Sequence, residues 1–147
     1  DRISAIDLIA PAGLGAEINA DYIEGFIAAD SRKQMKPLLQ QLVADPELVN
    51  RSLVNDMLQF KRTDGVPAAL TTIAAGFVAG DGQSVNLSSK LADLNIPVHV
   101  IWGSADNIIP AAHATGLPAN VKVDVLDGPG HLVQLEAASE VNALLGA

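Results

Sequence analysis

The chain contains no cysteine. Disulfides, thiolate metal sites and a cysteine nucleophile are therefore excluded. Aromatic residues make up only 3% of it, one tryptophan, one tyrosine and three phenylalanines, so a core has to be assembled from Leu, Ile, Val and Ala. Positive charge is also scarce. There are 9 Lys and Arg against 17 Asp and Glu, a net charge of −8, and the basic residues form no cluster. Neither nucleic acid nor an anionic membrane surface is an expected partner. No apolar run reaches the ~18 residues of a membrane helix, and no charged-then-apolar leader marks a signal peptide. The expected compartment is the cytoplasm.

What is present is enough for one domain: 147 residues, 49% of them hydrophobic, a length that can bury a core without covalent staples. The sequence opens at Asp1 and runs within four residues into a strand-like segment. That abrupt opening gives the expectation of a C-terminal piece of a longer protein.

Ile3 to Ala10 reads as a short buried strand stopped by Pro11-Ala-Gly13. From there to about residue 94 the apolar spacing is helical. Tyr22, Ile23, Phe26 and Ile27 share one face. Ser31 is placed to cap a helix carrying Met35, Leu38, Leu39 and Leu42, with Pro37 predicting a kink or a late start. Asp45-Pro46 is a cap followed by proline at the first helical position, and the helix after it is expected to turn Leu53, Met57, Leu58 and Phe60 inward. Asp64 is placed to cap a further helix with Leu70, Ile73, Ala74 and Phe77 on one stripe, ending before Gly80. Asp81 to Asn86 reads as a polar loop and Ser88 to Leu94 as a short helix. Then the period changes. Pro97 to Trp102 and Val121 to Leu126 are β-branched runs of the kind buried on both faces of a parallel sheet. A short helix is expected at Ala111 to Thr115, and a closing helix over Leu132 to Leu145 with Leu135, Ala138, Val141, Leu144 and Leu145 inward. The expected class is α/β: a parallel sheet interrupted by a helical insertion, with 1–13 and 95–147 as core and 14–94 as a cap.

Two residues carry the chemistry. Asp106 lies three residues past Gly103, at the carboxyl end of a predicted strand, where catalytic groups gather in open α/β sheets. His131 follows Asp127-Gly-Pro-Gly130, a glycine-rich exit from the next strand. Taken singly, Asp106 reads as a turn or cap residue and His131 as a helix-start histidine. Taken together, an acid loop and a histidine loop on consecutive strands match the last two members of a Ser…Asp…His order. No serine lies in G-x-S-x-G. Ser84, in Gly82-Gln-Ser84-Val-Asn86, lacks the second glycine and follows a helix, and Ser104 reads as a turn residue on the acid loop. His99, inside a strand, is expected to be packed or hydrogen-bonded. His113 is expected near the surface. The three histidines have no metal-ligand spacing, so no metal site is expected. Gly13-Leu-Gly15 after a strand hints at a dinucleotide loop, but Ile18 stands where the third glycine belongs.

These motifs resemble the α/β-hydrolase superfamily over essentially the whole chain. Leu8-Ile-Ala-Pro-Ala-Gly13 resembles its sixth strand and the exit into the cap, the strand leading to Asp106 its seventh, and Val121 through Gly130-His131 to Glu136 its eighth. A narrower resemblance rests on Ala10-Pro-Ala-Gly-Leu-Gly-Ala-Glu-Ile-Asn19, Asp21-Tyr-Ile-Glu-Gly-Phe26, Lys36-Pro37 with Asp45-Pro46, and Gly130-His-Leu-Val-Gln-Leu-Glu136. They are similar to the dihydrolipoamide acetyltransferase components of bacterial acetoin-cleaving (acetoin dehydrogenase) systems. The chain departs from the superfamily pattern at Ala137-Ala138, where a proline often stands, and at His99, where an aliphatic residue is usual.

The resemblance implies a parent that moves acetyl from a lipoyl group to coenzyme A, inside a multienzyme complex with E1-type and E3-type components. It implies Asp106 and His131 as the catalytic acid and base, with the nucleophile elbow outside this sequence, no cofactor held by this piece and no catalysis by it alone. The same residues would equally serve a hydrolase acting on an ester or carbon–carbon bond. A non-catalytic scaffold domain is the third reading. If the preceding strand of the superfamily is missing, Ile3 to Ala10 is an open sheet edge, and a homodimer or self-association through it is expected.

Overall fold

The computed structural model describes residues 2–146. Its centre is a three-stranded parallel sheet in the order β1 (Ile6–Ile9), β4 (Val98–Gly103), β5 (Val121–Leu126). Register is regular: Ile6 lies beside Val98 on one side, and Val98 beside Val121 on the other. The middle strand is buried along its whole length, with Val100, Ile101 and Trp102 fully out of solvent. A strand flanked on both edges and covered on both faces has to be apolar throughout, and each such side chain contributes about 1.5–3 kcal/mol on burial. The first strand is shorter than Ile3 to Ala10: it starts at Ile6, and Ile3 is exposed. Ala10 ends it with φ 43°, in the left-handed region, and its N–H still bonds the Ile101 carbonyl.

Between β1 and β4 stand four helices and a small hairpin: α1 (Ala20–Ala28), α2 (Arg32–Gln40), α3 (Arg51–Lys61), α4 (Val66–Phe77), β2 (Val78–Ala79) and β3 (Gly82–Gln83). They enclose a second apolar cluster of Ala29, Met35, Leu39, Val43, Val49, Val54 and Leu58, separate from the cluster on the sheet. Partly buried Phe26, Leu38 and Leu42 pack against both clusters and join them.

Several local expectations are corrected. Helix α2 begins directly after Ser31, with Pro37 inside it, so there is no late start; the Ser31 hydroxyl bonds the Gln34 side chain instead of a backbone N–H. Asp45 caps only a single 3₁₀ turn (Pro46–Leu48). Asn50 caps α3 by accepting from the Leu53 N–H. Of the residues expected inward, Leu58 is buried and Leu53 and Met57 pack half-buried against the second cluster, while Phe60 is 51% exposed; Val54 and Lys61 are buried beside Leu58. Gly65, with φ 82°, precedes α4 in place of Asp64, and Ile73 faces out. The polar loop after α4 contains the β2–β3 hairpin. Ser88–Asp93 and Ala111–Ala114 are 3₁₀ turns. Strand β5 is only half covered, with Val123 and Val125 exposed. The closing helix is broken at Ala137 into α5 (Val133–Glu136) and α6 (Ala138–Leu145). Val133, Val141 and partly Leu144 face inward, while Leu135, Ala138 and Leu145 are exposed.

Lys61 is the unusual buried residue of the helical segment. Its ammonium donates to the Phe26, Ile27 and Ala29 carbonyls at the end of α1, the Ile27 contact being 3.0 Å, and sits 5.2 Å from the Phe26 ring centre. Helix ends leave such carbonyls without partners, and here a charge from α3 satisfies three at once. Lys61→Met is expected to destabilise the chain by about 1–3 kcal/mol, because buried acceptors lose their donor while the methylene stem is kept. A urea melt reads this, and an unchanged midpoint would contradict it.

Candidate active site

Strand β4 delivers the acid. After Gly103 the chain turns at Ser104-Ala105, and the Asp106 side chain folds back under the sheet edge, fully shielded from solvent. One carboxylate oxygen accepts from the N–H groups of Ile108 (2.8 Å) and Ile109 (3.0 Å). The other accepts from the Trp102 indole N–H (2.9 Å) and meets His131 Nδ1 at 2.8 Å. Burial on its own would push this carboxyl up. The hydrogen bonds and charge of His131 and the two backbone N–H donors outweigh it and hold the group below the ordinary carboxylate value.

The histidine comes from the loop after β5. His131 is partly exposed, at 22% of its side chain. With Nδ1 given to an ionised acid, the ring carries its proton there and leaves the Nε2 lone pair to accept another. Two glycines let the loops approach. A Cβ on Gly103 would lie 2.3 Å from the Pro129 carbonyl oxygen, and one on Gly130 would lie 2.9 Å from the Ala44 nitrogen. Ser104 ties the loops together: its hydroxyl donates to Asp127 (3.2 Å) and accepts from the Gly128 N–H (2.9 Å). The Ser104 hydroxyl is thus engaged in the turn, and that of Ser84 bonds the Gly76 carbonyl. Among the described residues no hydroxyl bonds His131.

Two further residues of the site escaped the sequence reading. Trp102 looks like core, yet its indole N–H is an Asp106 donor. Glu136, five residues after His131, accepts from the N–H groups of Ala44 (2.8 Å) and Asp45 (3.0 Å) with one oxygen and of Gly130 (2.6 Å) with the other. It pins the histidine loop to the exit of α2, helped by the Leu132 N–H bonding the Leu42 carbonyl at 2.9 Å.

The other histidines are structural. His99 is buried between Asp124 (2.7 Å) and Asp7 (3.3 Å). His113 is buried rather than near the surface. Its Nε2 meets Glu17 at 2.7 Å, its ring lies edge-on to Trp102, and Gly15 packs so close that a Cβ there would overlap the ring. The Gly13-Leu-Gly15 segment therefore serves that contact. Among the described residues no group of three or more His, Asp or Glu could hold a metal ion, and no helix is long and apolar enough to cross a membrane.

An acid loop and a histidine loop on adjacent parallel strands, with helices inserted before them, define the second half of an α/β-hydrolase fold. Solved structures agree. The chain superimposes with TM-score 0.81 on a meta-cleavage product hydrolase from Pseudomonas fluorescens, at 18% identity, covering 98% of this chain and 54% of that one. For a serine hydrolase from Cycloclasticus zankles the TM-score is 0.79 at 20% identity, covering 98% and 54%. No family model matches. By sequence, the chain is similar to the dihydrolipoyllysine-residue acetyltransferase component of the acetoin cleaving system. It is 42% identical to that of Cupriavidus necator over 144 residues and 48% identical to that of Pseudomonas putida over 141. It covers 38% and 37% of those relatives, so it spans little more than a third of their length.

The depressed Asp106 titration makes a pH prediction. A carboxyl whose folded value lies below its unfolded one adds stability that is complete above the unfolded value, about 3.9, and is lost as pH falls through the folded value. Asp106→Asn is therefore expected to cost about 1–3 kcal/mol at pH 7 and progressively less below pH ~4. Urea melts across that range measure it, and a constant difference would contradict it.

Proposed function

We propose that this chain is the acid-and-base half of an acyltransferase, and that the whole protein moves acetyl from a dihydrolipoyl group to coenzyme A. The observation that carries the reading is the 2.8 Å contact of His131 Nδ1 with the buried Asp106 carboxylate, in a sequence that is more than 40% identical to acetoin-system acetyltransferase components. Residues 14–94 act as a cap over a core formed by 1–13 and 95–147. The protein works with E1-type and E3-type components.

The residues fit the chemistry of such a transfer. Lipoyl groups and coenzyme A each supply a thiol, and a thiol needs a base before it attacks. His131 Nε2 takes that proton, either from the coenzyme A thiol directly or from a serine hydroxyl contributed by a nucleophile elbow outside these residues. Asp106 stabilises the resulting imidazolium and keeps Nε2 aimed outward. The balance closes simply: the acetyl bond to the lipoyl sulfur breaks, one to the coenzyme A sulfur forms, and His131 hands its proton to the departing sulfur. Glu136 supports this by holding the histidine loop against the cap. The hydrolase reading differs in the acceptor, with water replacing the thiol.

In the whole protein, His131→Ala is expected to lower acetyl-coenzyme A formation by about 10²- to 10⁴-fold with the fold retained. The 147-residue chain alone is expected to show no His131-dependent turnover. Retention of the full rate would sink the assignment. Loss of acetyl at the same rate without coenzyme A would select the hydrolase instead.

A further inference from the structure

Strand β5 closes one side of the sheet and, among the described residues, pairs as a strand only with β4. Its direction of bonding is fixed by the Leu126 carbonyl, which accepts from the Ser104 N–H at 2.9 Å. Backbone groups alternate along a strand, so Lys122, Asp124 and Leu126 turn theirs toward β4, while Val121, Val123 and Val125 turn theirs outward. The Val121 N–H is already bonded to the Pro118 carbonyl at 2.9 Å, so the open edge presents the N–H and C=O groups of Val123 and Val125 and the Val121 C=O, a template for another strand.

The sequence on that edge is self-complementary. In Val121-Lys-Val-Asp-Val125 the charges are opposite and equidistant from Val123. We propose that this strand is a homodimer interface, with a second copy of the chain pairing antiparallel across a two-fold axis at Val123. In that register Lys122 of each copy faces Asp124 of the other, at non-hydrogen-bonded positions where side chains lie closest. Val121 faces the other copy's Val125 on the opposite face. The two-fold axis makes every off-axis contact occur twice. Shifting the axis to Lys122 or Asp124 sets like charges opposite each other, so the charges select the register.

Exposure agrees with this use. Val123 and Val125 are 36% and 48% exposed, and the Lys122 side chain 60%, in the single chain. Lys122 already bridges to Asp124 at 3.0 Å and Asp124 to His99 at 2.7 Å, which holds these charges in place. The opposite edge, β1, is not built this way. It carries a lone Asp7, which already contacts His99, and no cation to meet it across a two-fold axis. The proposed pairing thus lies on β5, at the far side of the sheet from the Ile3 to Ala10 edge where self-association was expected.

The absence of cysteine makes the test direct. In the full 147-residue chain, Val123→Cys is expected to cross-link to a disulfide dimer on mild oxidation. Central residues of such a pair lie about 5.5 Å apart, within disulfide reach. An Ile73→Cys control on exposed α4 is expected to stay monomeric. Light scattering is expected to give a dimer for the unmodified chain. Lys122→Asp, which sets four carboxylates together, is expected to dimerise about tenfold or more weakly with an unchanged circular dichroism spectrum. A monomeric unmodified chain would overturn the proposal. So would a dimer that Lys122→Asp leaves intact, or one in which Val123→Cys links no faster than the control.

Discussion

One buried carboxylate organises this molecule. Asp106 is withdrawn from water, which would disfavour its charge, yet it accepts from Trp102, Ile108 and Ile109 and meets His131. The donors come from the strand before it, the turn after it and a loop 25 residues further on. Withdrawing the charge would leave donors from three segments unpaired in a dry site, a cost of several kcal/mol taken together. The same geometry that fixes the fold at the sheet edge fixes the histidine tautomer, so stability and the proposed chemistry rest on one group.

The approach of the loops depends on what is not there. Gly103 and Gly130 lack the Cβ atoms that would meet the Pro129 carbonyl and the Ala44 backbone. With that space free, Glu136 reaches three N–H groups from two segments and joins the exit of α2 to the histidine loop. The helical segment and the sheet keep separate apolar clusters. Their attachment near the site is polar and directional, which sets its position more sharply than apolar contact alone would.

Strands β4 and β5 were legible because a β-branched run bounded by turn residues has few alternatives, and the acid and histidine loops were legible from their place after those strands. What was not legible depended on tertiary context. The α3 cap falls at Asn50, five residues past the Asp45 named from sequence, and which apolar side chains of that helix turn inward is set by packing against the second cluster, which buries Val54 and leaves Phe60 out. The run Val121 to Leu126 reads the same whether one face or two are covered, and here Val123 and Val125 are left open. Trp102 and Glu136 could not be assigned, because an indole in a strand looks like core and a glutamate in a helix looks like surface. His113 was misplaced for a related reason: two of its partners, Gly15 and Glu17, come from a segment far from it in sequence, and they close over a ring that lies edge-on to Trp102.

The central claim is that Asp106 holds the His131 ring with its proton on Nδ1 and Nε2 free to act as base. Nitrogen-15 NMR of the chain labelled at histidine tests this most directly. At a pH where the ring is neutral, the account predicts a protonated Nδ1 and an unprotonated Nε2 for His131, and loss of that preference in Asp106→Asn. A ring protonated on Nε2, or one averaging between tautomers like free imidazole in the unmodified chain, would contradict it.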